Sequence, residues 1–532
     1  MGCLFLYGPP GSGKSTLGRL LARRLARPFV DLDVEIEKAA GRAIPAIFAA
    51  EGEEGFRARE LRALEEAARR PSAVVALGGG ALVRDAARAV AERCGTVVCL
   101  DCSLDALCAR IGRAPGTRPL VDGGAAEARA RLEGLLARRA AHYASFPLRL
   151  DVSVRPPEVL LDALEVLFGA FRIVSGDVPS DVVVGTDLLE TLGEQAAPRG
   201  LGHRAVVVCD AHTAPRLAPR AVDALERAGI AARLFAVPAG EEAKTLATVQ
   251  SIWGAFQSAG LGRADFAVAV GGGVVGDMAG FAAATWMRGI PWVNVPTTLL
   301  SMVDASTGGK TGCDLPGAKN MVGAFHSPAL VLADVSTLLT LPAREVRCGL
   351  AEAVKHALIS DSPELRAGLA SFPADGPLGD LSDVAAFVAR ALAVKVDFVR
   401  RDPFEKGDRA KLNLGHTVGH AVEVATDFRV RHGEAVAIGT VEEARLAVRL
   451  GLAAPGWPDE VAAAFASVGL PTALPEDLTF ASLAEIMCRD KKQVNGEVRF
   501  ALPCAWGDVR LTRVDVRRFL SLRAKVNAPS RK

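Results

Sequence analysis

LFLYGPPGSGKST at 4–16 and FAVAVGGGVVGD at 266–277 are the two stretches on which the reading of this chain turns. In each, an apolar run stops at a glycine-rich loop able to cradle phosphate, and an alternating α/β pattern follows. The loops differ in design and lie far apart. They imply two nucleotide sites in two domains, and so two chemistries on one polypeptide. The length of 532 residues agrees, since one hydrophobic core does not serve so long a chain.

Composition narrows the class. Half the residues are hydrophobic and 23% are charged, as in an ordinary globular enzyme. A net charge of +2 provides no basic field for nucleic acid. Fifty-three glycines and two tyrosines suit a loop-rich α/β protein with little aromatic stacking surface. No apolar run reaches the ~18 residues of a membrane span. The start, MGCLFLYGPP, has Leu6 where a myristoylation signal needs Ser or Thr, and it reads instead as a buried first strand. Nothing resembles a signal peptide. Ten cysteines are scattered singly. Cys99 and Cys102 form a lone CxxC at a strand end and read as two unrelated thiols. A reducing cytoplasm fits this usage.

The pattern along the chain is α/β throughout its first two thirds. Over 1–168, LFLYG, PFVDLD, AVVALGGG and TVVCLD are strand-like and each precedes a helical pattern, the signature of a parallel sheet with flanking helices. PPEVLLDALEVLF at 156–168 reads as the closing helix, and 169–176 as a linker. Over 177–340, DVVVG, RAVVVCD, ARLFAVPAG, FAVAVGGG, WVNVP and ALVLAD read as strands of a second, Rossmann-like α/β part. From 341 to 532 the pattern turns helical, with one late segment, EVRFALPCAWGDVRL at 497–511, suited to a hairpin.

Gly8–Ser15 fit G-x-x-x-x-G-K-[ST] between a strand and a helix. In such a loop the amides of Gly11, Ser12, Gly13 and their neighbours surround phosphates. Lys14 reaches the β/γ oxygens, and Ser15, with Thr16 beside it, can hold Mg²⁺. DLD at 31–33 closes the second strand, and spacing by two puts Asp31 and Asp33 on one face. One can support Mg²⁺ through water and the other an acceptor hydroxyl. Arg57 and the glycines 78–80 follow, the latter allowing close backbone approach to a ligand.

GPPGSGKSTLGRLLA, FVDLDVEIE, GRAIPAIFAAEGEEGFRARE, LGGGA, TRPL and RRAAHY occur in the order found in shikimate kinases, which the whole of 1–168 resembles. The resemblance implies ATP-dependent phosphorylation of the shikimate 3-hydroxyl, with Mg²⁺. ATP would lie on Gly11–Thr16, with Lys14 on the phosphates and Ser15 and Asp31 toward Mg²⁺. Asp33 would orient the hydroxyl; Arg57, Gly79, Gly80 and Arg139 would bind shikimate. Arg118, in GTRPLVDGG, would sit on a lid over the nucleotide. Spacing to Tyr143 selects Arg139 over Arg138.

The second glycine loop is not G-x-G-x-x-G, so by itself it says only that a backbone approaches a ligand closely. AGEEAK at 239–244 also follows a strand, and its acids suit ribose hydroxyls. Histidines say more. His416 and His420 stand at i and i+4, and His432 begins another helix. Upstream, Glu352, Lys355 and His356 share a face. Two imidazoles and a carboxylate with an open position describe a catalytic Zn²⁺ site. Spacing leaves open whether His416 and His420 both bind or one is an acid–base group. Lys310, Lys319, Lys355, Lys395 and Arg409, with Asn320 and Asn413, sit in motif-like contexts and suit a polyanionic substrate.

AGEEAK, GGGVVGDMAGFAAAT, VPTTLLSMVDASTGGKTG, GAKNMVGAFHSP, RCGLAEAVKH, LNLGHTVGHAVE, HGEAVAIG and DKKQVNGEVRF resemble 3-dehydroquinate synthases, in order, over 172–532. The resemblance implies that Glu352, His416 and His432 bind Zn²⁺ or Co²⁺. It implies NAD on Asp210, Gly240, Glu241, Glu242, Lys244, Gly273, Val274, Val275, Gly276, Asp277, Thr297, Thr298, Lys310, Lys319, Thr337, Leu338, Leu339 and Thr340. Asp304, Lys310, Lys319, Asn320, Lys355, Lys395, Arg409, Asn413 and His420 would line the substrate pocket, completed by Lys491 in preference to Lys492. The chain departs from the family's usual residues at Ala239 and His212. The implied reaction converts 3-deoxy-arabino-heptulosonate 7-phosphate to 3-dehydroquinate and phosphate. Its C5 is oxidised, phosphate is eliminated, the hydride returns, and an aldol step closes the ring.

Three other readings remain. A metal-dependent polyol dehydrogenase would release NADH and would not need the lysine set. Another sugar-phosphate cyclase would share the machinery, but the kinase motifs point to the aromatic pathway. A nucleotide-sensing module at 1–168 would not need Asp33, Arg57 and Arg139 together. The resemblance also implies small-molecule substrates only and a homodimer formed through the synthase part.

Overall fold

The computed structural model describes residues 2–70, 72–112, 125–175, 178–316, 318–372, 378–478, 483–484, 486–487, 493–494 and 497–515. The chain divides into two compact units, 1–172 and 173–532.

The first unit runs β1 (Cys3–Tyr7), α1 (Lys14–Leu25), β2 (Phe29–Asp31), α2 (Leu32–Ala40), α3 (Ile44–Ala68), β3 (Val74–Ala76), α4 (Asp85–Cys94), β4 (Gly95–Asp101), α5 (Leu104–Gly112), α6 (Ala125–Ala144), β5 (Arg149–Asp151) and α7 (Pro157–Phe168). Its sheet has the order β2-β3-β1-β4-β5, with parallel pairing throughout. β1 is buried along its whole length, as a strand covered on both faces must be. Phe5 and Tyr7 point into a core with Phe56, Leu64 and Val90 from α3 and α4. Leu4 and Leu6 point the other way, onto Leu17 and Leu21 of α1 and Leu160 and Leu164 of α7. Period-two alternation therefore divides one apolar strand between two cores.

One local expectation fails here. DLD does not lie wholly in a strand: β2 ends at Asp31, and Asp33 stands in the first turn of α2. A carboxylate there favours the positive end of the helix, and that tendency overrides strand continuation.

The second unit runs β6 (Ala170–Ser175, which spans the unit boundary), β7 (Val178–Gly185), α8 (Leu192–Ala196), β8 (Arg204–Asp210), α9 (Ala218–Arg227), β9 (Ala231–Val237), α10 (Leu246–Ser258), β10 (Phe266–Gly271) and α11 (Gly273–Thr285). It continues with β11 (Trp292–Pro296), β12 (Lys310–Leu315), β13 (Ala318–Phe325), β14 (Leu330–Asp334), α12 (Ala343–Ser360), α13 (Pro363–Gly368), α14 (Leu381–Arg401), α15 (His416–Ala425), α16 (His432–Arg449), α17 (Trp457–Ala466), β15 (Gln493–Val494), β16 (Glu497–Ala505) and β17 (Asp508–Asp515). A seven-stranded sheet has the order β6-β7-β14-β11-β10-β8-β9. α10 and α11 pack Val249, Ile252, Phe256, Met278 and Ala282 on one of its faces.

Two features differ from the sequence reading. The stretch 169–176 is not a linker, because Ala170–Ser175 is an edge strand of this sheet; FRIVS has the β-branched, alternating character that extended backbone favours. The antiparallel pair β12–β13 was not foreseen, its glycines masking the strand pattern. The C-terminal part is helical as expected, and its late segment forms the expected hairpin, β16–β17, joined by β15. Among the described residues, no helix is long and apolar enough to cross a membrane.

Candidate active sites

In the first unit, Gly13 holds a left-handed φ of 94°, which glycine adopts without a Cβ clash, and α1 starts at the next residue. Gly11, Ser12 and Gly13 thus form the turn, and Lys14, Ser15 and Thr16 the first helical residues. Lys14 Nζ donates to Gly8 O at 2.8 Å and Pro9 O at 2.9 Å, so the ammonium is folded back over its own loop. Asp31 lies at the boundary of β2 and α2.

The glycines 78–80 are ringed by charge. A side chain on Gly78 would meet Glu60 Oε1 at 2.8 Å and Asp33 Oδ1 at 3.0 Å. One on Gly80 would meet Arg57 Nη2 at 2.7 Å and Arg139 Nη2 at 3.0 Å. Asp33, Arg57, Gly79, Gly80 and Arg139 are therefore brought together, and only glycine leaves the space between the guanidinium groups open. Arg139 Nη1 and Tyr143 Oη each donate to Gly79 O at 2.8 Å. Arg138 instead lies along its own helix, 3.5 Å from the position of a side chain on Gly134. The sequence reading missed Glu60, which is buried and accepts from Arg57 Nη1 at 2.5 Å. Its i+3 spacing from Arg57 was the available signal. Arg118 and its lid segment lie outside the described residues.

In the second unit, loops at the strand ends form a cradle. α11 begins at Gly273, and its first internal bond runs from Gly276 N to Gly272 O. The amides of Gly273, Val274 and Val275 thus precede the helical ladder, an arrangement that fits a pyrophosphate. Gly272 has the side chain of Thr298 over it, 3.1 Å from where a Cβ would stand, and Thr297 N donates to Gly271 O at 2.9 Å. Lys244 is a buried hub: its Nζ lies 2.7 Å from Asp277 Oδ2, 2.6 Å from Asn320 Oδ1 and 3.9 Å from Glu241 Oε1. Burial opposes its charge, but Asp277 and then Glu241 raise its pKa. One side chain therefore ties the loop of Gly240, Glu241 and Glu242 to α11 and to β13. Asp210 ends β8 and accepts from the amides of His212 and Thr213. Thr337, Leu338, Leu339 and Thr340 lie in a 3₁₀ turn, with Thr337 and Leu338 buried and Leu339 exposed.

The helices place the proposed metal ligands together. His416 Nε2 and His432 Nε2 lie 3.4 Å and 3.3 Å from the same oxygen, Glu352 Oε1. Each ring has its other nitrogen engaged: His416 Nδ1 is 3.0 Å from Leu414 O, and His432 Nδ1 is 3.3 Å from Glu423 Oε2. Such partners keep the proton on Nδ1 and leave the Nε2 lone pair free. Both Glu352 oxygens are fully buried without a well-formed hydrogen bond, although Lys355 Nζ forms an ion pair with Oε2. Two imidazole lone pairs and a carboxylate converging out of water are what a divalent ion requires. Burial drives His416 down to about 3 against the pull of Glu352. Burial also opposes charge on His432, but Glu352 and Glu423 raise it to about 10, so without a metal a proton takes the cation's place there.

Glycines let the helices come close enough. A Cβ on Gly433 would stand 2.4 Å from Cys348 Cα of α12, and one on Gly439 would stand 2.1 Å from Gly415 O. Glu443 of α16 caps α15, accepting from Gly415 N at 2.6 Å and Val418 N at 3.3 Å.

Asp304 gathers the cations beside this centre. It pairs with Lys355 Nζ at 3.2 Å and with Lys395 Nζ. Burial pushes Lys395 down to about 8, only partly offset by Asp304, with Arg409 and Lys355 lowering it further. Arg409 is buried and donates to Gly308 O at 3.1 Å. Lys310 pairs with Glu405, which also accepts from Asn413 Nδ2 at 2.6 Å. Lys319 Nζ lies 3.3 Å from both Glu241 and Glu423. His420 packs edge-on against His416, with ring centroids 5.3 Å apart. Asn320 is taken up by Lys244 and by Asp314, to which its amide donates at 2.7 Å. The sequence reading missed Glu405 and Glu423. The second was readable, three residues after His420 on one helix face; the first was not, because a loop brings it to Lys310. Lys491 and Lys492 lie outside the described residues.

Comparison with known proteins agrees with this division. Residues 10–167 match the family model for shikimate kinase, 234–348 that for the 3-dehydroquinate synthase N-terminal part, and 349–493 that for its C-terminal part. A 3-dehydroquinate synthase of Symbiobacterium thermophilum is 45% identical over 341 residues, covering 63% of this chain and 94% of that protein. A 2-deoxy-scyllo-inosose synthase, solved with carbaglucose-6-phosphate, NAD⁺ and Co²⁺, superimposes with a TM-score of 0.62 at 26% identity, over 67% of this chain and 99% of that one. A 2-epi-5-epi-valiolone synthase of Streptomyces hygroscopicus subsp. jinggangensis 5008, with NAD⁺ and Zn²⁺ bound, gives 0.58 at 29% identity, over 66% and 99%.

Proposed function

The chain belongs to the 3-dehydroquinate synthase family and carries a shikimate kinase domain ahead of it, and from that premise we propose two reactions on one polypeptide. The second unit cyclises 3-deoxy-arabino-heptulosonate 7-phosphate to 3-dehydroquinate with loss of phosphate. The first phosphorylates the 3-hydroxyl of shikimate from ATP. When bound, NAD supplies a reversible hydride acceptor, Zn²⁺ or Co²⁺ polarises the hydroxyl being oxidised, and Mg²⁺–ATP supplies the phosphoryl group.

The observation that carries the synthase reading is the joining of two groups by one side chain. Lys355 pairs with Glu352 of the Glu352–His416–His432 set and with Asp304 of the cation cluster. A polyol dehydrogenase has use for the first group only. The cations Lys310, Lys319, Lys355, Lys395 and Arg409 suit a substrate bearing both carboxylate and phosphate, and they stabilise an enolate as it forms. Lys395, with its pKa near 8, is the ammonium in this cluster suited to exchanging a proton near neutral pH. The amides of Gly273–Val275 and the acids of 241–242 would hold the dinucleotide. Identity also favours dehydroquinate synthesis over other cyclisations: 45% to the synthase against 26% and 29% to the other cyclases.

In the kinase unit, Arg57 and Arg139 face each other across Gly80 and offer two guanidinium forks to the shikimate carboxylate. Asp33 would orient the hydroxyl. Lys14 would exchange its loop carbonyls for phosphate oxygens when nucleotide enters, and Ser15 and Asp31 would face Mg²⁺. The synthase part would pair as a homodimer, which light scattering checks.

The deciding assay follows phosphate release from the heptulosonate phosphate with catalytic NAD, and ATP-dependent phosphorylation of shikimate by the same preparation. Stoichiometric accumulation of NADH would refute the synthase reading.

A further inference from the structure

We propose that Glu423 is a positioning residue which fixes the tautomer of His432 and ties that histidine to Lys319. The inference rests on reading Glu352, His416 and His432 as the metal set.

Glu423 lies on α15, almost wholly buried, and divides its two oxygens between two elements. Oε2 is 3.3 Å from His432 Nδ1 at the start of α16; Oε1 is 3.3 Å from Lys319 Nζ on β13. The first contact keeps a proton on Nδ1 and directs Nε2, the nitrogen a metal would take, toward Glu352 Oε1 at 3.3 Å. His416 reaches the same state differently, through the backbone carbonyl of Leu414. No side-chain substitution removes that carbonyl, so of the two imidazoles only His432 depends on another residue's side chain. The second contact holds Lys319, whose ammonium also touches Glu241 and lies 4.4 Å from the centre of the Phe428 ring. Glu423 thus sets a metal ligand and a substrate-pocket cation from one carboxylate.

The same atoms admit a competing role. His420, Glu423 and His432 have ligand atoms within 4.8 Å of one another and could hold a second ion. The Lys319 ammonium against Oε1 argues for the positioning role, because a cation already neutralises that oxygen.

The test titrates zinc into the full-length apoprotein against a chromophoric chelator, for wild type, Glu423→Gln and Glu423→Ala. The proposal expects one ion per chain in each. Zinc affinity should fall about 10–100-fold in Glu423→Ala, and less in Glu423→Gln, which keeps an acceptor oxygen but loses the charge. The visible bands of the cobalt-loaded protein should shift in Glu423→Ala while the apoprotein melts as wild type does. A zinc affinity within about threefold of wild type in both variants would overturn the proposal. So would two ions in wild type with one lost in Glu423→Ala, which would make Glu423 a ligand. Phosphate release separates this from the synthase reading: weakened zinc binding in a protein that never cyclises the heptulosonate phosphate supports the positioning role and removes only the assigned reaction.

Discussion

Glu352 Oε1 faces two imidazole nitrogens at 3.4 Å and 3.3 Å, and this crowding of acceptors governs the chemistry of the second unit. Beside it, Lys395 supplies a measurable signature. Its folded pKa of about 8 lies below the ordinary lysine value, so the ammonium is present below pH 8 and lost above it. An anionic substrate needs that charge. The expected result is a kcat/KM for cyclisation that falls on the alkaline side with an apparent pKa near 8, traced by phosphate release; a flat profile to pH 10 would remove Lys395 from the binding set. In the other unit, Lys14 Nζ donates to the Gly8 and Pro9 carbonyls of its own loop, and Lys14→Ala removes the ammonium that would meet the phosphates. Shikimate phosphorylation should drop by at least about 10²-fold, as for other lost transition-state donors, while cyclisation by the same sample stays at the wild-type rate.

Elements deliver these side chains through close crossings. Gly433 sits against Cys348 Cα, and its neighbour His432 reaches Glu352 because α16 can come that near α12. Gly433→Ala should force the helices apart at a cost of about 1–3 kcal/mol, read as a lower melting temperature of the second unit. Zinc content after dialysis should fall with it, whereas an exposed control such as Gly456→Ala, which meets nothing within 4 Å, should keep its metal. At this scale the sequence was partly legible. The i, i+4 pair of His416 and His420 and the start of α16 at His432 could be read from spacing. β12–β13 could not, since glycines and lysines hide its alternation, and neither could Asp33 in the first turn of α2. Local pattern reports periodicity; where short elements begin is decided by capping and packing.

For the whole molecule, the two units predict separable dependence on metal. Stripping transition ions with a chelator, followed by dialysis into Mg²⁺, should abolish cyclisation and leave shikimate phosphorylation unchanged; zinc or cobalt should restore the lost activity. Loss of both activities on chelation would show the units to be coupled. The two reactions are not consecutive, because dehydration and reduction separate 3-dehydroquinate from shikimate, so transfer of one unit's product directly to the other has no chemical basis. Production in a fixed ratio is the simpler advantage of joining them.

By itself the sequence determined the two α/β patterns, the nucleotide loop at 8–16, the helical character of the C-terminal part and the residue types of both sites. These are encoded in contiguous spacing, which local sterics and periodic burial translate directly into structure. Tertiary structure alone decided that Glu405 meets Lys310, that Lys244 ties three segments together, and that His432 is held by Glu423 from another helix. Each of those contacts joins residues brought together by packing, and two of them involve buried charges whose partners are chosen by the need to compensate desolvation. The ring nitrogen that is free to bind a cation is likewise set by what the other nitrogen meets, and that is known only once the helices have come together.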